Sequence, residues 1–154
     1  MTNTVQSVPV VLPSGAIPAW PQYDDQERAA LGRALDQGQW WRLGGQEVEL
    51  FEAEFAEANG APRALAVVNG TAALELALRI HRIGPGDEVI VPAFTFISTS
   101  LAVQNVGATP MPTDVDPRTM CMRAEDVERM ITSRTKAVIP VHMAGQVSDM
   151  QSIE

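Results

Sequence analysis

Ala64-Leu65-Ala66-Val67-Val68-Asn69-Gly70-Thr71-Ala72-Ala73-Leu74-Glu75-Leu76-Ala77-Leu78 changes character in its middle. The run 64–68 is short and continuously apolar, the pattern of a strand buried on both faces, whereas 72–83 has helical spacing. A strand entering a helix through a tight turn is the repeating unit of an α/β fold. In such a turn the backbone N–H groups of Asn69-Gly70-Thr71 point outward at the positive end of the helix, a ready site for a phosphate. The same residues also read as local structure alone, with Thr71 as an N-cap and Gly70 as a turn residue. Closure of a hairpin by Asn69-Gly70 is opposed by the helical run behind it.

Downstream the alternation continues. Strands are expected over 88–91, 109–115 and 137–141, and helices over 97–105 and 124–132. Short apolar strands separated by helices imply a mainly parallel sheet covered on both faces. Upstream, Asp24 and Asp25 offer capping carboxylates to a helix over 27–37 that stops at Gly38. The loop 39–45 is rich in tryptophan and glycine. A second helix over 48–59 carries Val48, Phe51, Phe55 and Ala58 on one stripe. Residues 1–22 contain Pro9, Pro13, Pro18 and Pro21, which suit an extended arm anchored by Trp20. Three parts are therefore expected: the arm 1–22, the helices and loop of 23–60, and an α/β portion, 61–154. Ser148 or Asp149 reads as the cap of a helix that has little length left, so the chain is expected to be truncated.

The composition narrows the function. The 154 residues are 45% apolar and 19% charged, which describes a globular chain. A formal charge of -8 removes the basic footprint of a nucleic-acid binder and favours a small-molecule substrate. Cys121 is the single cysteine, so neither an internal disulfide nor a multi-thiolate metal site is expected. No signal peptide or membrane-spanning run is evident, and a cytoplasmic protein is expected.

Several residues are candidates for chemistry. Phe96, in Pro92-Ala93-Phe94-Thr95-Phe96, follows the strand 88–91 at the carboxyl edge, where α/β sheets bind ligands, so its ring is either a stacking platform or core packing. His142 follows the strand 137–141 and reads as a cofactor neighbour, a proton carrier or a structural histidine. His81 is expected to be a partly buried packing residue. Asp114-Val115-Asp116-Pro117 reads as a strand-end turn in preference to a metal site. The methionines 120, 122, 130 and 150 read as gap-fillers. A dinucleotide fingerprint fails, since the turn has one glycine instead of three. Lys136, the single lysine, stands at the amino-terminal edge of its strand, on the opposite side of the sheet from Gly70 and Phe96.

The succession Phe51-Glu52, Asn69-Gly70-Thr71-Ala72-Ala73-Leu74, Gly84-Pro85-Gly86-Asp87-Glu88-Val89-Ile90-Val91-Pro92, Thr95-Phe96, Asp114-Val115-Asp116 and Val141-His142-Met143-Ala144-Gly145 resembles the DegT/DnrJ/EryC1/StrS family over roughly 20–154. The resemblance implies the fold-type-I, aspartate-aminotransferase-like large domain of pyridoxal 5'-phosphate (PLP) enzymes, a mainly parallel sheet flanked by helices. It implies that Gly70 and Thr71 bind the cofactor phosphate and that Phe96 stacks on its pyridine ring. The family's Schiff-base lysine and its carboxylate partner for the pyridine nitrogen match no residue here, so no catalytic residue is assigned in this chain and both are expected beyond Glu154. A homodimer with shared active sites is also implied. Pro18-Ala19-Trp20-Pro21-Gln22-Tyr23-Asp24-Asp25 and Gln37-Gly38-Gln39-Trp40-Trp41-Arg42 are similar to a branch that dehydrates and aromatises an amino-dehydroshikimate for ansamycin-type antibiotics. Sugar-nucleotide aminotransferases of the family mostly lack this opening. Thr119-Met120-Cys121-Met122-Arg123-Ala124 departs from the family's usual polar run with an acid, which bears on a helix cap. A non-catalytic, ligand- or partner-binding chain is the reading from another class.

Overall fold

Asp24 begins the first helix by a reciprocal cap. Its carboxylate accepts the Gln26 N–H at 2.7 Å, and its own N–H donates to Glu27 Oε2 at 2.8 Å. The computed structural model describes Pro13 and residues 15–154; most of the expected arm lies outside the described residues. The chain divides into two units, 1–66 and 67–154.

In the first unit α1 spans Asp25–Gln37 and ends at Gly38, whose φ of 63° is the left-handed stop that glycine adopts without strain. The second helix, α2, spans Glu47–Ala58 and differs from its expected stripe. It buries Glu52 and Ala56, while Phe51 and Phe55 are about half exposed. The cause is Arg42, whose guanidinium grips Glu52 through two hydrogen bonds of 2.7 and 3.0 Å. Glu52 Oε1 also accepts the Ala66 N–H at 2.8 Å. The expected strand 64–68 is therefore corrected. It has no ladder partner among the described residues, and within the first unit Ala66 donates to a carboxylate. Trp20, the expected anchor, is 90% exposed.

The second unit opens with α3, Gly70–Ile80, followed by β1, Glu88–Pro92. Then come α4, Ser98–Asn105, and β2, Thr109–Thr113. The next helix, α5, covers Ala124–Met130, and β3 covers Thr135–Val138; a short terminal helix, α6, covers Met150–Ile153. The three strands are parallel in the order β2-β1-β3. Alternation along β1 divides the core. Val89 and Val91 meet Leu78 of α3 and Ala102 and Val103 of α4 on one face, while Ile90 meets Met122 and Val127 on the other. Helices thus cover both faces of a parallel sheet, as expected.

Local chemistry explains the strand limits. Thr109 donates to Asp87 O and Ala93 to Thr113 O, so the odd-numbered residues of β2 face β1. Pro110 and Pro112 place their missing donors on the outer side, which makes β2 an edge strand. It stops at Thr113 because Val115 instead pairs with Met122 across the turn built on Asp116. In β3 the register passes from Glu88 opposite Thr135 to Val89 opposite Ala137, leaving Lys136 as an exposed bulge.

Two buried carboxylates meet arginines. Asp126, 4% exposed, accepts from Arg123 at 2.5 Å and from Arg129. Glu88, 3% exposed, accepts from the Thr132 hydroxyl and from Arg134 Nε at 2.9 Å. The Arg123 hydrogen bond chiefly holds the Asp126 carboxyl below its ordinary 3.8, and the Thr132 hydroxyl, then Arg134, holds Glu88 below 4.5. Depressed folded values mean that the stabilisation is complete above those ordinary values and is lost as pH falls through the lower folded ones. Acid unfolding of the wild type should therefore steepen below about pH 4.5. Asp126→Asn should flatten that dependence, measured by urea unfolding at pH 7, 5, 4 and 3. Equal pH slopes for the two proteins would remove Asp126 from the acid response.

Candidate functional site

The chain leaves α3 at Ile80 and enters β1 at Glu88, so the carboxyl end of α3 and the amino end of β1 share one edge. Gly70 and Thr71 at the start of α3 and the 93–97 loop after β1 consequently share the opposite, carboxyl edge. The cap of α3 is Asn69, a correction to the reading of Thr71 as the cap. Its side-chain oxygen accepts the Ala72 N–H at 2.9 Å, and its carbonyl accepts the Ala73 N–H at 3.2 Å. That leaves the N–H groups of Gly70 and Thr71 without an intramolecular acceptor among the described residues. A Cβ built on Gly70 would meet nothing within 4 Å, so the approach to these amides is open. Thr71, half-buried, adds a hydroxyl to the same helix end. Unpaired amides, a positive helix terminus and a hydroxyl fit a phosphate.

Phe96 is 76% exposed, so core packing is not its role in this structure. Its loop is braced by a pair of hydroxyls that the sequence reading overlooked. Thr95 Oγ1 and Thr99 Oγ1 lie 2.9 Å apart, with Thr99 5% exposed in the first turn of α4. The four-residue spacing of the two threonines was the available signal.

His142 lies four residues past the end of β3, because β3 stops at Val138 and not at 141. Its Nδ1 accepts the Ser148 N–H at 3.1 Å, and the Ser148 hydroxyl donates to Val141 O at 3.1 Å. His81 is exposed at the C-cap of α3, a correction to its expected packing role. Asp116 forms the expected turn, accepting the Arg118 N–H at 2.7 Å and the Thr119 N–H at 3.4 Å. The Arg118 N–H is the chief reason that its carboxyl is held below the ordinary value. Lys136 sits beside His81, Arg82 and Asp87 around a cleft of about 530 Å³ at the amino-terminal edge, opposite Gly70 and Phe96.

Among the described residues no group of three His, Cys, Asp or Glu side chains is placed to hold a metal ion. No described helix is long and apolar enough to cross a membrane.

Comparison with known proteins gives this edge a context. A curated relative, 3-amino-5-hydroxybenzoate synthase from Amycolatopsis mediterranei (strain S699), is 60% identical over 136 residues, which are 88% of this chain and 35% of that protein. GDP-perosamine synthase from Caulobacter vibrioides is 45% identical over 88% of the chain and 36% of its own length. The chain thus spans about a third of the length of the curated relatives it matches. The crystal structure of 3-amino-5-hydroxybenzoic acid synthase superposes with a TM-score of 0.84 at 60% identity, over 88% of this chain and 35% of that one. NtdA from Bacillus subtilis with bound cofactor PMP gives 0.78 at 34% identity, over 85% and 30%. The fold is that of PLP aminotransferases, and a sugar aminotransferase from Streptococcus pneumoniae with the same fold, 35% identical at a TM-score of 0.78, is known in its PLP form. The model of the DegT/DnrJ/EryC1/StrS aminotransferase family matches residues 22–154, and the chain belongs to that family.

Proposed function

We propose that the full-length protein is a PLP-dependent 3-amino-5-hydroxybenzoate synthase, which dehydrates and aromatises an amino-dehydroshikimate in antibiotic biosynthesis. The observation that carries this reading is the 60% identity to the synthase over 88% of the chain, against 45% for the GDP-perosamine enzyme. The tryptophan-rich stretch around Trp40 and Trp41, shared in kind with the synthase branch, supports the same choice. When bound, the cofactor supplies an electron sink for loss of a proton and of water. The residues of this chain hold and orient it. Gly70 and Thr71 donate to the phosphate, Asn69 keeps those amides free by capping Ala72, and Phe96 offers a ring face. The anchoring lysine is assigned outside these 154 residues, since Lys136 stands at the opposite edge. The protein acts in the cytoplasm on a small-molecule substrate, as a homodimer, without nucleic acid or membrane.

A second reading, a sugar-nucleotide aminotransferase, is supported by the 45% identity to GDP-perosamine synthase. The full-length protein discriminates between them. Turnover of an amino-dehydroshikimate alone supports the synthase; turnover of a keto-sugar nucleotide with an amino donor, and none of the first, overturns it.

Thr71→Ala in the full-length protein should weaken PLP binding by about tenfold, the effect of losing one hydroxyl bond to an anion. Dialysis followed by absorbance titration measures it, and unchanged affinity would displace the phosphate from this turn. The 154-residue chain mixed with PLP should show no new absorbance band beyond that of free PLP, or a weak one through Lys136 that survives Thr71→Ala. A strong band abolished by Thr71→Ala would overturn the assignment of the lysine elsewhere.

A further inference from the structure

Beyond β3 the Ile139 N–H still donates to Ile90 O, at 2.9 Å, so the chain remains alongside β1 as it leaves the sheet. Ile90 is level with Val138, and the same step carried forward sets 141–142 level with the positions after Pro92. His142 therefore stands at the carboxyl edge with the loop that carries Phe96.

The ring is fixed on one side. Ser148 is 3% exposed, and its N–H donates to Nδ1 while its hydroxyl ties back to Val141 O. A ring nitrogen that accepts carries no proton, so the neutral imidazole carries its proton on Nε2. Nε2 has no partner among the described residues, and His142 is exposed. A buried amide thus orients a free N–H donor at the edge where Gly70 and Thr71 also present donors.

We infer that His142 binds ligand, its Nε2–H donating to an anionic oxygen either of the cofactor or of a substrate carboxylate. This inference rests on the function proposed above. It assigns the ring a fixed donor role and no proton transfer.

The test uses the full-length protein and two substitutions that separate the ring nitrogens. His142→Asn keeps an acceptor near Nδ1 for the Ser148 N–H and removes the donor. His142→Gln places an amide N–H near the Nε2 position and gives up the Ser148 contact. The measurements are Kd for PLP, Kd of the PLP-loaded protein for 3-amino-5-hydroxybenzoate, and Tm. His142→Asn should keep Tm and raise one Kd about tenfold, as expected for a donor lost to a charged oxygen. His142→Gln should lower Tm and keep both Kd values within about threefold. A rise confined to PLP assigns the oxygen to the cofactor, and one confined to the benzoate assigns it to the substrate carboxylate. Unchanged Kd values for His142→Asn, or equal losses of affinity and Tm in both variants, overturn the donor role. If Thr71→Ala weakens PLP binding and His142→Asn affects neither ligand, this inference alone fails; if Thr71→Ala leaves PLP binding unchanged and His142→Asn affects neither ligand, the cofactor reading of the edge fails with it.

Discussion

Ile90→Ala should destabilise the chain by about 3–4 kcal/mol, the largest single-residue effect expected in this sheet. Ile90 has no exposed surface and lies in the middle of the central strand. Its side chain fills the face covered by Met122 and Val127, with Met111, Met130, Val138 and Ile153 packed around them. Truncation removes three carbons from contact with all of these groups. The backbone cannot move inward to close the gap, because ladders to β2 and β3 hold β1 on both sides. Ile90→Val should cost about 1 kcal/mol, which makes a graded pair. Urea unfolding followed by circular dichroism reads both. A loss below about 1 kcal/mol for the alanine variant would mean that this face is not packed as described.

Glu52→Ala should cost about 2 kcal/mol in the first unit, through charge instead of volume. The Glu52 side chain is 11% exposed and holds Arg42 by two hydrogen bonds and the Ala66 N–H by a third. Its removal leaves that amide without its acceptor and releases the guanidinium. Arg42 is 47% exposed, so water compensates part of its loss, which keeps the expected cost below the sum of three charged bonds. Exchange of the Ala66 amide with deuterium should accelerate by about thirtyfold, the equivalent of that energy. Glu52→Gln keeps the shape and one acceptor, and should restore a substantial part of the protection. Unchanged exchange at Ala66 would show that Glu52 does not organise the segment before the Asn69-Gly70-Thr71 turn.

These two residues also show what a sequence reveals and what it hides. Ile90 was legible as core because a continuous apolar run between turns needs no knowledge of its neighbours. Glu52 was not, because the helical stripe of Val48, Phe51 and Phe55 pointed to another face of α2. Its burial depends on Arg42 ten residues earlier and on an amide fourteen residues later. A pattern confined to one helix cannot register such partners. The same limit explains the strand expected over 64–68. Five apolar residues favour extension, but a strand exists only when another supplies its ladder, and Ala66 is bonded to a carboxylate.

The sequence by itself determined the α/β alternation, the turn at Asn69-Gly70-Thr71, the side of the sheet to which Lys136 belongs and the membership of the family. Each depends on contacts within a few residues or on the order of motifs along the chain. Tertiary structure alone decided that Asn69 and not Thr71 caps the helix, that Phe96 is exposed and that Ser148 fixes one nitrogen of His142. It also set Lys136 in a bulge of β3. These outcomes arise from packing, strand register and the choice among competing hydrogen-bond partners, which apolar periodicity does not specify. The turn therefore keeps its open amides because a neighbouring side chain satisfies the next one, a division of roles that composition and periodicity do not encode.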